Sequence, residues 1–318
     1  MKEVLTTGRY FRKTFGVSVY KVPVSLMGFT CPNIDGKVAK GGCIYCENES
    51  FSPNLGGVVQ PKRFRLNLTS ENPLLEEQLV QLEAQVIETK SKLVHKFKAK
   101  KFLIYFQSFT NTYAPLDTLK ALYEKALSFE GVVGISVGTR TDALTEETLA
   151  YLASLAKTKE VWVEFGVQSC HDTTLKRINR GHDFANAATW IQKSKASGLK
   201  VCAHVIFGLP DETQEMMLES VQKTVALGID AIKIHPLYVT KRTTLATQYA
   251  KGAFTPMSEE LYLDTLVKTL QMLPKNVVVQ RITAGVDDDT LIAPAWCGNL
   301  KEQRKQIRLA LEKAGLYY

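Results

Sequence analysis

Three cysteines stand close together near the start of the chain: Cys31, then Cys43 and Cys46 in a C-x-x-C that follows Gly41-Gly42. Together they offer three thiolates. A closed structural zinc site takes four ligands, and no histidine stands near the three in sequence. Three thiolates alone suit a [4Fe–4S] cluster with one iron left open. An open iron can chelate an amine and a carboxylate, the pair carried by the methionine end of S-adenosylmethionine. An injected electron then cleaves the C–S bond and gives a 5′-deoxyadenosyl radical. The spacing leaves one alternative open, a zinc ion completed by the distant Cys170, Cys202 or Cys297.

A second group of polar residues interrupts apolar runs. Glu164, Gly166 and Gln168 alternate along Val161–Val167 and its end, so they share one face. Polar groups inside such a run need partners or a ligand. His204 shares a face with Cys202, and Lys233 with His235, a pair read as polar and catalytic. Gly208 suits either a close approach of the backbone to a ligand or a plain turn. Lys62-Arg63-Phe64-Arg65 joins cations to an aromatic, a combination able to hold phosphates and stack a base.

These residues must be carried by regular elements. Strand patterns fall at Val22–Phe29 (ending at Thr30-Cys31), Phe102–Phe106, Val132–Val137, Val161–Val167, Val201–Phe207 and Ala231–Ile234. Helical patterns fall at Leu74–Val94, Leu116–Leu127, Thr145–Ala156, Ala185–Ser197, Glu215–Leu227, Glu259–Leu273 and Lys301–Lys313. Val277–Ile282 is a further strand candidate. Strand-then-helix repeats predict an α/β chain with a parallel sheet, and sites in such sheets gather at the C-terminal strand ends.

The 318 residues are 45% hydrophobic and 23% charged, with a formal charge of +8. A basic chain suits phosphate-rich partners. No run approaches the roughly 20 apolar residues of a membrane helix, and the basic, aromatic Met1–Tyr20 lacks a signal-peptide core. A cytoplasmic protein without membrane contact is expected.

From Gly28 to Gly36 (Gly-Phe-Thr-Cys-Pro-Asn-Ile-Asp-Gly) and at Gly41-Gly42-Cys43-Ile44-Tyr45-Cys46 the sequence resembles the YhcC/YtqA family of radical SAM proteins. That family is related to the radical SAM domain of the Elongator catalytic subunit. The likeness continues through Tyr105-Phe106-Gln107-Ser108, Asn111–Pro115, Gly138-Thr139-Arg140-Thr141-Asp142, Glu164–Gln168, Ile178–Asp183, Ala203–Pro210, Ile232–His235 and Leu291–Trp296. It implies a partial (β/α)6 TIM-like barrel of radical SAM type with a short C-terminal extension. The expected divisions are an N-terminal extension (1–21), the barrel (22–240) and a C-terminal extension completing the barrel side (241–318). Thr141 stands where the family pattern predicts proline, Ile34 where it predicts arginine, Asp211 and Arg242 where it predicts glycine, and Tyr238 where it predicts histidine.

The resemblance implies cofactors and roles as well. Cys31, Cys43 and Cys46 would hold the [4Fe–4S] cluster. Oxygen-independent coproporphyrinogen oxidase, a relative, contacts S-adenosylmethionine through a glutamine, an arginine twelve residues later and a polar residue on the fifth strand. Gln168, Arg180 and His204 match those positions, with Glu164 and Gly208 beside them. Many radical SAM proteins hold the methionine amine with Gly-Gly-Glu-Pro. This chain has Gln107-Ser108-Phe109-Thr110 there, so the contact falls to Gln107 or Ser108. The implied partners are tRNA and an electron donor such as flavodoxin or ferredoxin. The implied reaction converts a carboxymethylaminomethyl group on a wobble uridine to aminomethyl; the alternatives are a radical SAM enzyme acting on a small molecule or a protein, or a non-catalytic metal-binding partner protein.

Overall fold

A computed structural model describes residues 2–47 and 64–318. Its centre is a sheet of seven parallel strands in chain order: β1 (Val19–Val24), β2 (Lys101–Phe106), β3 (Val132–Thr139), β4 (Glu160–Gln168), β5 (Lys200–Phe207), β6 (Ala231–Pro236) and β7 (Val278–Arg281). The expected fold is present with one strand more than the resemblance implied, since Val277–Ile282 does supply a strand, parallel to β6. Lys21 Nζ on β1 reaches Gln280 Oε1 on β7 at 2.6 Å and Glu164 Oε1 on β4 at 2.8 Å. The sheet therefore curls until its edges lie within a side chain of each other. No ladder joins β1 to β7 among the described residues, so the barrel is partial.

Alternation along the strands sorts the side chains. One set, including Val22, Ile104, Val137, Phe165, Val205 and Ile234, packs outward against the helices in the main core. The other points inward and is layered. At the N-terminal end Leu103, Trp162, Cys202, Ala231 and Val278 form an apolar plug with Phe11. Phe11 comes from a helix over Thr7–Phe15 that the sequence patterns did not mark, because its apolar face is short and it sits in a basic segment. Burying that ring stabilises the plug by about 1.5–3 kcal/mol. The next inward layer is polar, and above it the barrel opens.

The helices lie close to their expected places. Thr145, Asp183, Thr213 and Ser258 each cap one by accepting a backbone N–H three residues on, an arrangement worth about 1 kcal/mol per cap. Gly198 and Gly228 follow helix ends with φ of +82°, a conformation that favours glycine.

The first strand differs from expectation, running over Val19–Val24 rather than Val22–Phe29. Past Val24 the chain pairs with side chains of the helix Leu75–Phe97. Gln85 Oε1 accepts from Ser25 N (2.9 Å), and Gln81 Oε1 accepts from Met27 N (3.0 Å). Cys31 is thus carried by a loop held by glutamines, seven residues beyond the strand. In the basic patch, Lys62 and Arg63 lie outside the described residues. Phe64 packs against the main core, which takes up the ring expected to stack on a base. No described helix is long and apolar enough to cross a membrane.

Candidate active site

A cavity of about 540 Å³ opens at the C-terminal strand ends, and Cys31, Cys43 and Cys46 all line it. The loop carrying them is fixed by Ile178-Asn179-Arg180. Ile178 O accepts from Ile44 N at 3.1 Å. Asn179 Nδ2 donates to Lys40 O (2.8 Å) and Gly42 O (2.7 Å). Cys31 and Cys43 each have a polar neighbour at the sulfur. Thr110 Oγ1 donates to Cys31 Sγ at 3.1 Å, and Asn33 Nδ2 to Cys43 Sγ at 3.3 Å. Arg180 Nη1 points at Cys43 Sγ from 3.6 Å. Burial opposes a Cys43 thiolate, but the Arg180 and Arg140 guanidiniums outweigh it and hold the thiol below its ordinary pKa. Burial pushes Cys31 up to about 11. Cys46 is driven well above the ordinary thiol value by burial and then by Cys43 and Cys31.

The set fits a three-thiolate cluster. The cysteines a closed zinc site would draw on lie elsewhere, since Cys170, Cys202 and Cys297 do not line the cavity. Cys202 belongs to the apolar plug, Cys297 is buried beside Gln303, and Cys170 is buried with its backbone N–H donating to Ser220 Oγ at 3.0 Å. Next to the trio, the cavity also holds buried polar atoms that have no partner among the described residues: Gln168 Oε1 and Arg180 Nε. These are the groups that a small polar cofactor end would satisfy.

The strand-end residues sort clearly. Gln107, Ser108, Glu164, Gln168, Arg180, His204, Lys233 and His235 all line the cavity. Arg180 Nη2 donates to Gly166 O at 2.6 Å. Ser108 and Phe109 take φ of +68° and +54°, and Ser108 Oγ lies 3.0 Å from Ser25 Oγ. Glu164 is buried at the cavity wall, and its carboxylate is committed. It pairs with Lys21 (2.8 Å) and Lys233, and accepts from His204 Nε2 (2.9 Å) and Ser136 Oγ (2.5 Å). Its part is to hold those side chains in place. Gly208 lies beside rather than in the lining of this cavity. A Cβ there would meet Met257 Cβ at 2.8 Å, so the glycine serves the turn and close packing, while Ile206 supplies the wall.

The site also uses residues to which no role was assigned from sequence. Lys21, Tyr105 and Ser136 complete the polar layer around Glu164; period-two alternation from Glu164's neighbours would have found them. Arg140 grips Asp142 through two bonds of 2.8 and 2.7 Å and donates to Arg180 O at 2.5 Å. Asp211 and Arg242 replace expected glycines yet keep φ of +68° and +66°; the backbone demand outlives the glycine.

Gly166 faces the gap between Gln168 and Arg180. An added Cβ would lie 2.6 Å from Gln168 Nε2 and 2.7 Å from Arg180 Nη2. Gly166→Ala is expected to keep the fold and weaken S-adenosylmethionine binding by roughly tenfold or more, as displacing a charge-assisted contact does. Equilibrium dialysis with the labelled cofactor measures this. Unchanged affinity would remove Gln168 and Arg180 from the binding set.

Comparison with known proteins agrees with this geometry. The radical SAM superfamily model matches residues 36–224, and the radical SAM C-terminal domain model matches 229–313. YtqA of Bacillus subtilis is 35% identical over 99% of this chain and 92% of its own length. YhcC of Escherichia coli K12 is 35% identical over 90% of this chain and 85% of its own. A tRNA uridine(34) acetyltransferase of Methanocaldococcus infernus is 29% identical over 58% of this chain, which spans 34% of that protein. Among solved structures, Elp3 of the same archaeon superposes with a TM-score of 0.60 at 18% identity, covering 94% of this chain and 65% of that one. The chain belongs to the radical SAM superfamily, whose members bind a [4Fe–4S] cluster and S-adenosylmethionine.

Proposed function

We propose that this radical SAM enzyme modifies the wobble uridine of tRNA, converting a carboxymethylaminomethyl side chain to aminomethyl. The observation that carries the reading is the likeness to a tRNA uridine(34) acetyltransferase. The charge of +8 is in keeping with an RNA partner. The cofactors, when bound, supply a 5′-deoxyadenosyl radical that abstracts hydrogen from carbon. A low-potential donor such as flavodoxin or ferredoxin provides the electron.

In this reading the chain's own residues divide the work. Cys31, Cys43 and Cys46 hold the cluster. Arg180 and Gln168 hold the methionine end, with Gln107 or Ser108 at its amine. His204 stays neutral near pH 7, because burial and then Lys233 lower its pKa to about 4; it receives and orients rather than repels a cationic cofactor. Lys233 and His235 face the substrate.

The expected result is measured on tRNA nucleosides from cells with and without the gene. Mass spectrometry should find the aminomethyl product lost and its carboxymethylaminomethyl precursor accumulated in the deletion. An unchanged wobble-uridine profile would sink the tRNA assignment.

A further inference from the structure

The far wall of the cavity, built by β6 and β7, carries more positive charge than the protein neutralises. Lys233 and Arg281 are register partners on these neighbouring strands, and both line the cavity with His235. Two lysines, Lys21 and Lys233, share the single Glu164 carboxylate. His204 spends its Nε2 on that same carboxylate. The Arg281 guanidinium makes no hydrogen bond or ion pair among the described residues, though it lies near enough to His235 and Tyr318 to act on both, and His235 Nε2 is buried without a partner there. The acids that share the cavity do not offset this wall. Asp287 and Asp288 are both exposed, where solvent screens their charge, and neither forms an ion pair with Lys233 or Arg281 among the described residues; Asp288 accepts from Thr290 N (2.8 Å) and Oγ1 (2.5 Å). Arg140 is answered by Asp142, and Arg180 faces Cys43 and Gly166 O. What remains is a cluster of donors with surplus positive charge on β6 and β7, whereas Arg180 lies in the segment after β4, which β5 separates from β6 in the sheet. A guanidinium beside an ammonium and an imidazole N–H is the donor set for a carboxylate.

We propose that Arg281, with Lys233 and His235, forms a subsite for a carboxylate on the substrate's side chain. The inference rests on the proposed function above and sharpens it: the enzyme selects a substrate that bears an acid at the end of the group to be modified. Arg281 is the anchor because it is the free cation of the three. Lys233 is already tied to Glu164 and Tyr105 OH. His235 closes the subsite as a neutral donor.

The test uses the reconstituted full chain and two nucleoside probes, carboxymethylaminomethyl-uridine and its primary amide, which is uncharged at that end. Calorimetric titration should show the acid bound roughly 10- to 100-fold more tightly than the amide, the span expected for one charge-assisted contact. Arg281→Gln should remove the preference, and Arg281→Lys should restore part of it. Arg281 is solvent-exposed, so neither change threatens the fold. Equal binding of acid and amide by the wild type overturns the subsite, even if tRNA is converted. A preference that persists in Arg281→Gln overturns the anchor. Loss of S-adenosylmethionine binding in Arg281→Gln, with both probes weakened alike, would assign the arginine to the cofactor and overturn the proposal too. Retained acid preference without any conversion of tRNA leaves the subsite standing and removes the wobble-uridine reading instead.

Discussion

Cys43→Ala is expected to leave a folded protein with almost no iron. After anaerobic reconstitution, iron should fall from about four atoms per chain, the content of one [4Fe–4S] cluster, to near zero. Reduction should then yield no 5′-deoxyadenosine above background. Cys43 is the most consequential of the three thiols because its surroundings favour the thiolate, the form that binds metal. Arg180 and Asn33 both point at its sulfur, and two guanidiniums hold its pKa down against burial. Cys31 and Cys46 are pushed the other way, so they ionise in concert with metal uptake. The fold should tolerate the change at a cost of about 1–2 kcal/mol, the loss of contacts to one buried acceptor. The loop keeps its anchors through Asn179 and Ile178, which do not involve the sulfur. Full iron retention in Cys43→Ala would refute the ligand assignment. Zinc in place of iron in the wild type would revive the alternative left open by spacing.

The cysteine loop was legible because its chemistry is local: three thiolates within sixteen positions restrict what they can bind. The barrel was legible from apolar runs that alternate with helical patterns. What the sequence hid depends on contacts between distant strands. Glu164 reads as a ligand on its strand, since a carboxylate in an apolar run demands a partner. Its partners come from β1, β3, β5 and β6, which only the curl of the sheet brings together. Gly208 reads equally as a ligand approach or a turn, and the deciding neighbour, Met257, is 49 residues away. The first strand ended early because two glutamines of a helix replaced a neighbouring strand's backbone as partners. Arg281 lies at the end of a four-residue strand too short for alternation to reveal its face.

The polar layer around Glu164 carries the largest expected stability effect. Glu164 is fully buried and answers two lysines. Glu164→Gln keeps the shape and removes the charge, leaving the buried Lys233 ammonium without a counter-ion, held only by neutral acceptors such as Tyr105 OH. Stranding one member of a buried pair costs about 3–5 kcal/mol, and the midpoint of thermal or urea unfolding reads the loss. Lys21 is partly exposed and can turn toward water, so Lys233 bears most of the penalty. Glu164→Gln combined with Lys233→Met should therefore be more stable than Glu164→Gln alone, a non-additivity that identifies the pair. The pH dependence gives an independent check. Glu164 has a folded pKa well below the usual carboxylate value, with burial opposing and Lys21 and Lys233 outweighing it. Its stabilisation is complete above the unfolded value of about 4.3 and is lost as pH falls through the lower folded value. His204 is depressed to about 4 by burial and then Lys233, so its contribution is full above about pH 6.5 and fades between there and about 4. The wild type should lose stability in two stages on acidification, the histidine stage first, with His182 and His235, which burial also depresses, adding to it. Glu164→Gln should shrink the second stage to what other low carboxyls contribute, such as Asp142, where burial is outweighed by Arg140. A variant that unfolds in acid with both stages intact would show that the carboxylate does not hold this layer together.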